Sequence, residues 1–456
     1  MWVIAGASGV VQIVVGSLHR APSWDEAIYL SQVTRGAVAL PFVASRARGI
    51  TVLVAPFTSL GAPLWLVRLA LVLGSSLLAA LVFRLWVPFL GWGAPLGMVL
   101  FLGSWPALFY GSEVMPNLWA ALFAVGTLAF VARCARGSVV RPLDLTGVGL
   151  MAAAMALMRP PDAVVLAVAA SVVVLTMRGP VRAIVAAIVG VSVGTLPWLI
   201  EMSVRYGGPR EAIDTARTVS HVGGAFSGIA EHLRLTDGPV LGPEPGGPLP
   251  WVGVLWWVGL IGLSAYALLP GAERRRTVGV RLAAVVGIAL AVEYLVLVSG
   301  LAPRFLLPAL AVLSVSAGAG LEALRSQARL GTIACMVVGV ILTGWVLWQV
   351  GTFDRLEAQA RHERRTPGAV GLAIGDAVGE QGCVVASTAD FAQVAFAAGC
   401  AGRDLTDLGS TALDHVLATA DGRVVVVASR SSVVTGIRGT PIPLPDAAWT
   451  AVAVTP

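Results

Sequence analysis

Stretches of about 20 residues with almost no charge recur along this chain from its first residue to about residue 350. In hydrocarbon every backbone polar group has to be satisfied internally, so such stretches fold as helices, and about 20 apolar residues are needed to cross. Eleven candidates stand out, roughly 1–18, 64–83, 93–109, 115–132, 145–158, 162–177, 183–200, 251–270, 280–299, 303–322 and 330–350. The fifth and sixth are short and are separated by Met158-Arg159-Pro160-Pro161-Asp162. The first has no basic region before it and no small-x-small cleavage site after it, so it reads as an anchor, not a signal peptide. Only 12% of the 456 residues are charged, against about 25% in soluble domains. That excludes a soluble enzyme, a disordered chain and a nucleic-acid-binding protein as the main reading.

The net charge of +6 is carried without lysine: all 31 basic residues other than histidine are arginines. Arginine in short loops marks the cytoplasmic side. With the N-terminus inside, the inner loops hold twelve arginines (84, 133, 136, 141, 178, 182, 274–276, 281, 325 and 329) and the short outer loops hold only Arg159 and Arg304. The expected arrangement is a multi-pass plasma (inner) membrane protein with its N-terminus cytoplasmic. The long loops 19–63 and 201–250, and everything after about 351, then lie outside the cytoplasm.

Residues 352–456 are of another kind. Charge returns to ordinary density, as in Arg361-His362-Glu363-Arg364-Arg365, and short β-branched runs such as Val424–Val427 alternate with Ala-rich stretches. Short buried strands interleaved with helices predict a small α/β domain. Cys383 and Cys400 fall on the exported side, where a disulfide persists once formed; two buried thiols are the other reading. The histidines and cysteines show no zinc spacing, so the sequence indicates neither a cofactor nor a divalent metal site.

A few charges are not explained by topology. Ser23-Trp24-Asp25-Glu26-Ala27-Ile28-Tyr29 places two carboxylates directly after the first span. Adjacent like charges raise one pKa, and a carboxylate at the membrane surface can act as a general base. The same residues also form a helix-capping box, with Ser23 as N-cap and Glu26 at N3. Glu113 is the single charge of the second outer loop and either binds a substrate hydroxyl or caps the next helix. Arg159 either snorkels at the interface or serves a site. Arg304 stands against the positive-inside bias, which favours an anionic partner, and its planar fork suits phosphate. Glu293 is an intramembrane acid and a functional candidate on that ground, or else the partner of Arg304. Carboxylates and arginine at one outer face are the groups needed to use a lipid-linked phosphosugar.

These segments resemble the GT-C glycosyltransferases, in the branch that contains protein O-mannosyltransferases and lipid A aminoarabinose transferases. Trp24-Asp25-Glu26-Ala27-Ile28-Tyr29 is similar to that branch's first-loop Asp-Glu motif, and Trp65-Leu66-Val67-Arg68-Leu69 to its second-span entry. Met158-Arg159-Pro160 resembles its Arg-Pro turn, and Arg304-Phe305-Leu306-Leu307-Pro308 its Arg-Tyr-Leu-Leu-Pro segment. The resemblance implies a GT-C-like catalytic membrane domain over 1–351 with about 11 transmembrane helices, followed by a soluble extracytoplasmic α/β domain over 352–456. It implies inverting transfer of a sugar, mannose first, from a polyprenyl-phosphate donor. Asp25 would be the base and Glu26 its neighbour; Arg304, with Arg159, would hold the donor phosphate. Glu113, Tyr29, Arg68, Glu293 and His221 are weaker substrate-binding candidates, and this branch requires no metal. The expected partners are the lipid donor, membrane lipids, and an extracytoplasmic acceptor: an envelope glycan or lipid, a secreted protein or a natural product. The alternatives are the same chemistry with arabinose or another pentose, and a polytopic transporter or flippase.

Overall fold

Proline and glycine set where the apolar stretches begin and end as helices. The computed structural model describes residues 1–456 except 137–138, 213, 215–227, 239–247, 270–273, 298–301, 327–330, 380–381, 406–409, 421–423, 431–436 and 455–456. In chain order the helices are α1 (Trp2–Val14), α2 (Trp24–Ser31), α3 (Gly49–Thr58), α4 (Leu64–Arg84), α5 (Val87–Leu90), α6 (Gly93–Leu102), α7 (Trp105–Tyr110) and α8 (Asn117–Arg136). They continue with α9 (Pro142–Met158), α10 (Pro160–Thr176), α11 (Val181–Arg205), α12 (Gly228–Arg234), α13 (Trp251–Ala267) and α14 (Arg274–Val292). A π-helical turn (Glu293–Leu297) extends α14, and a 3-10 turn (Pro303–Leu306) leads into α15 (Leu307–Ser326), which is followed by α16 (Gly331–Val378).

Six helical segments among the described residues are long and apolar enough to cross a bilayer: 64–84, 117–136, 181–205, 278–296, 303–326 and 336–378. Six more are apolar but run to only 10–17 residues. At 1.5 Å per residue, the 13 residues of α1 extend about 20 Å, against about 30 Å of hydrocarbon. The chain is a polytopic helical membrane protein, but the count of eleven full spans is not reproduced. One reason lies in the expected span 93–109. It breaks at Gly103-Ser104, and Pro106 opens a separate six-residue helix, because proline suits a helix's first turn and not its interior.

The chain divides into two compact units on interleaved stretches of sequence. The first comprises Met1–Gly16, Ala44–Gly49 and Leu69–Leu356; the second comprises Ser17–Val43, Ile50–Arg68 and Glu357–Pro456. In the first unit α15 is the central helix, with 94% of its span buried. It packs against α6, α8, α13 and α14. Gly318 permits its approach to α6, since a Cβ there would stand 2.2 Å from the Gly93 carbonyl oxygen. A similar contact joins α9 and α11, where a Cβ on Gly194 would meet the Ala153 carbonyl at 2.1 Å. Helices brought together in this way use the small-residue packing typical of membranes.

In the second unit the tail forms the expected α/β domain. Its strands are β1 (Cys383–Ser387), β2 (Ala401–Asp404), β3 (Val424–Ser429), β4 (Thr440–Pro441) and β5 (Thr450–Val454), with α17 (Phe391–Ala398) and α18 (Ser410–Ala418) between them. The sheet order is β2-β1-β3-β5-β4; β1 is parallel to β2 and β3, and β5 is antiparallel to β3 and β4. Val385 opposite Val426 marks the register of the two central strands, and β1 is buried along its whole length, as a run covered on both faces requires. Of the two readings of Cys383 and Cys400, the bridge is the one found, closing a loop of 17 residues with the Cα atoms 5.0 Å apart. Cys134 is a buried free thiol.

Cross-linking a loop of this length stabilises by about 3 kcal/mol, chiefly by restricting the unfolded chain. Replacing Cys383 and Cys400 together by alanine is therefore expected to lower the tail's unfolding free energy by about that amount. Denaturant unfolding of the full chain measures it, and non-reducing peptide mapping of the wild type should recover the two cysteines in one linked fragment.

Candidate functional site

Each unit holds one cluster of charged side chains that includes residues singled out from the sequence. In the second unit the cluster is built on α2. Ser23 caps the helix: its hydroxyl accepts from the Glu26 amide and the Glu26 carboxylate accepts from the Ser23 amide, so the expected capping box is present. Trp24 packs edge-on against Phe391, with ring centroids 4.6 Å apart, and Gln393 donates to the Pro22 carbonyl at 3.1 Å. The tail helix α17 thus fixes the start of α2.

Glu26 is completely buried. Besides the Ser23 amide, its Oε2 accepts from Arg68 Nη2 at 2.8 Å and pairs with Arg364 Nη1 at 3.4 Å. Arg68 also donates to the Arg20 carbonyl at 2.5 Å and the Leu18 carbonyl at 3.4 Å. Arg20 in turn pairs with the buried Glu357, which also takes the Ser17 amide at 2.8 Å. Two segments resembling separate motifs, 42 residues apart, are therefore joined by one ion pair. Asp25 occupies the second position of the helix and stays partly exposed. A carboxylate there is favoured by the helix dipole, and of the two acids it alone reaches the surface. Tyr29 is 5% exposed and packs edge-on against Phe42, with centroids 5.8 Å apart, which makes it part of this unit's core.

The cluster of the first unit lies where α9 gives way to α10. Arg159 leaves the helical conformation (φ −148°, ψ 90°), and Pro160 restarts the helix one residue later. Arg159 Nε donates to Asp162 Oδ2 at 2.9 Å and its Nη2 donates to the Tyr294 hydroxyl, which itself donates to Asp162 Oδ1. The guanidinium also lies 5.4 Å from the Tyr294 ring centre and 5.3 Å from that of Phe305, and these two rings stack on each other at 5.3 Å. Arg159 is thus a bound member of a buried network and not a snorkelling residue. Arg304 rests over the same Phe305 ring, at 5.0 Å.

The pairing of Glu293 with Arg304 is not made. Glu293 begins the π-helical turn, is 7% exposed, and forms no ion pair or hydrogen bond among the described residues; its Oε2 is buried without a partner. The turn carries the neighbouring Tyr294 to Asp162, while the Arg304 guanidinium lies on Phe305. Glu113 is buried at 1% exposure in the loop between α7 and α8. His221 lies outside the described residues. Among the described residues no three His, Cys, Asp or Glu side chains gather as a metal-binding group.

Beside this network runs an apolar cavity of about 340 Å³. One wall is a face of α13 (Val254, Trp257, Val258, Ile261) and another a face of α14 and its π extension (Ile288, Ala291, Val292, Leu295), both at helical i, i+3, i+4, i+7 spacing. Leu306, two residues after Arg304, also lines it. A hydrocarbon chain fits such a lining.

Arg20, Glu357 and Arg364 were not marked by the sequence, nor were Asp162 and Tyr294. Asp162 had one usable signal, its place three residues after Arg159 at a helix start. Glu357 and Arg364 lie more than 300 residues from their partners and had none.

No protein-family model matches the sequence, and no curated protein matches it at a significant level. The fold does have solved counterparts. The structure is similar to that of ArnT from Cupriavidus metallidurans bound to undecaprenyl phosphate, with a TM-score of 0.71 and 14% identity over 99% of this chain and 97% of that one. Apo ArnT from the same organism gives a TM-score of 0.70 and 16% identity over the same shares. The arabinofuranosyltransferase AftD from Mycobacteria gives a TM-score of 0.51 at 16% identity, covering all of this chain and 40% of that one. The GT-C-like fold implied by the four short segments is the fold found.

Breaking a buried pair by deleting one partner leaves an uncompensated charge and costs about 3–5 kcal/mol. Arg68→Ala is expected to fall in that range, and Arg68→Met, of similar length but uncharged, in the same range. If thermal unfolding in detergent shows either variant within 1 kcal/mol of the wild type, Glu26 does not depend on Arg68.

Proposed function

We propose that this chain is a membrane glycosyltransferase that moves a sugar from a polyprenyl-phosphate donor to an extracytoplasmic acceptor hydroxyl with inversion. The observation that carries the proposal is the likeness, across 99% of the chain, to ArnT bound to undecaprenyl phosphate. The apolar cavity, lined in part by Leu306 two residues after Arg304, supports a lipid tail. The arabinofuranosyltransferase neighbour favours a pentose of arabinose type over mannose.

In this reading the acceptor hydroxyl attacks the anomeric carbon as its proton passes to the Asp25 carboxylate. The bond from that carbon to the phosphate oxygen breaks in the same step, and a single displacement inverts the centre. Polyprenyl phosphate leaves with the bonding pair, and Arg304 stabilises the growing charge on its oxygens, the interaction that contributes most in a dry site. Glu26 does not take the proton; with Arg68 and Arg364 it holds the first turn of α2, and so Asp25, in place. A base within hydrogen-bond reach of the hydroxyl contributes about 10²–10⁴-fold.

The membrane part, 1–351, would carry the chemistry, with the N-terminus cytoplasmic and residues 352–456 outside. The arginine distribution supports this orientation, and so does the Cys383–Cys400 bridge, which belongs to an oxidising compartment.

Membranes containing the protein are to be incubated with labelled polyprenyl-phosphate pentoses and hexoses, and the labelled product identified. Asp25→Asn is expected to reduce transfer at least 100-fold with normal amounts of folded protein; near-normal turnover would remove Asp25 from the base role. Arg304→Ala is expected to raise the donor KM about tenfold or more while the acceptor KM stays within a few-fold. No transfer from any lipid-linked sugar by the wild type would overturn the function itself.

A further inference from the structure

The buried network around Arg159 closes on itself with one carboxylate left over. Both oxygens of Asp162 are engaged, one by Arg159 and the other by the Tyr294 hydroxyl, and Arg159 directs its Nε and Nη2 at Asp162 and Tyr294. Glu293, the residue before Tyr294, is 93% buried, and its Oε2 has no hydrogen-bond partner among the described residues. Buried polar oxygens are nearly always satisfied, because one left without a partner keeps its full desolvation cost. One that stays unsatisfied in an apolar region marks a place where something else docks.

The surroundings say what that is. Glu293 opens the π-helical turn, an interruption that often carries a functional side chain. Val292 before it and Leu295 after it line the apolar cavity. The Tyr294 ring stacks on Phe305, and Phe305 carries Arg304. A tail in the cavity and a phosphate at Arg304 would bring the group esterified to that phosphate beside this ring pair.

We propose that Glu293 is a specificity residue that accepts a hydrogen bond from a ring substituent of the lipid-linked sugar, a hydroxyl or, in an amino sugar, an ammonium group. The assignment rests on the donor reading above and adds to it the atom that reads the sugar. The acceptor on the protein is Glu293 Oε2, and the donor is the one substituent whose removal leaves that oxygen buried and unpaired. Leaving one partner of a buried hydrogen bond unsatisfied costs about 10–100-fold in affinity.

The test measures Kd for the purified full chain with synthetic polyprenyl-phosphate pentoses and hexoses, their monodeoxy analogues, and analogues with an amino group in place of one hydroxyl. The wild type is expected to bind one parent sugar at least tenfold more tightly than one of its monodeoxy or hydroxy counterparts. In Glu293→Ala that ratio falls to within twofold. Glu293→Gln keeps a neutral acceptor of the same shape: a hydroxyl contact keeps most of the preference, and an ammonium contact loses it. The wild-type comparison needs no variant, so a substitution that fails to fold leaves the proposal exposed to refutation. Equal affinity of the wild type for every analogue overturns it, as does an unchanged ratio in Glu293→Ala. If the lipids bind and the sugar is transferred while the ratio stays unchanged, only the role of Glu293 falls; if the wild type binds none of the lipids, the donor reading falls with it.

Discussion

A carboxylate with no access to water holds the second unit together at its most constrained point. Glu26 collects the Ser23 amide, Arg68 and Arg364, so a helix cap, the entry of α4 and the long helix α16 meet on one side chain. In a low-dielectric surrounding, removal of any one of these groups costs more than the bond it makes, because the charge that stays behind has no solvent to turn to. Arg68 passes the constraint on to the Arg20 carbonyl, and Arg20 to Glu357. Asp25 is presented on a helical turn whose own freedom is removed by its neighbour.

This gives the tail a task that its composition did not suggest. Glu357 and Arg364 project from α16, and Phe391 and Gln393 from α17, all toward the segment 17–31. The α/β sheet behind them, closed by its disulfide, buttresses that segment. In the first unit a different device does comparable work. There the cations lie on aromatic faces: Phe305 carries Arg159 and Arg304, and Tyr294 combines ring stacking with two hydroxyl contacts.

The helical membrane architecture could be read from the apolar stretches because their length is dictated by the bilayer, and the buried strands Cys383–Ser387 and Val424–Ser429 because β-branched runs have few other uses. The capping box was legible because all its atoms lie within four residues. The end of the last span was not. The expected span ends near residue 350, with a separate domain from 352, yet α16 continues to Val378 with Phe353, Leu356, Glu357, Ala360 and Arg364 buried at helical spacing. Two of those five are charged, and a pattern search that counts only apolar residues misses the stripe. Local motif and charge drew attention to Asp25, Arg159 and Arg304, and of these Arg159 lies in a buried network. What could not be read is a side chain whose partners lie far along the chain: the burial of Glu26 and Tyr29 was not foreseen, and Arg364 and Tyr294 gave no sign.

The complete absence of lysine has a consequence for how the buried clusters respond to acid and alkali. A guanidinium keeps its proton over the whole range in which proteins stay folded, whereas a buried ammonium can be neutralised by its surroundings. Every cation named in the two clusters, Arg20, Arg68, Arg159, Arg304 and Arg364, is therefore a fixed charge. Any proton gained or lost there has to enter through a carboxyl or a phenol, so the positive half of each cluster works as a permanent counter-ion against which the acids alone titrate.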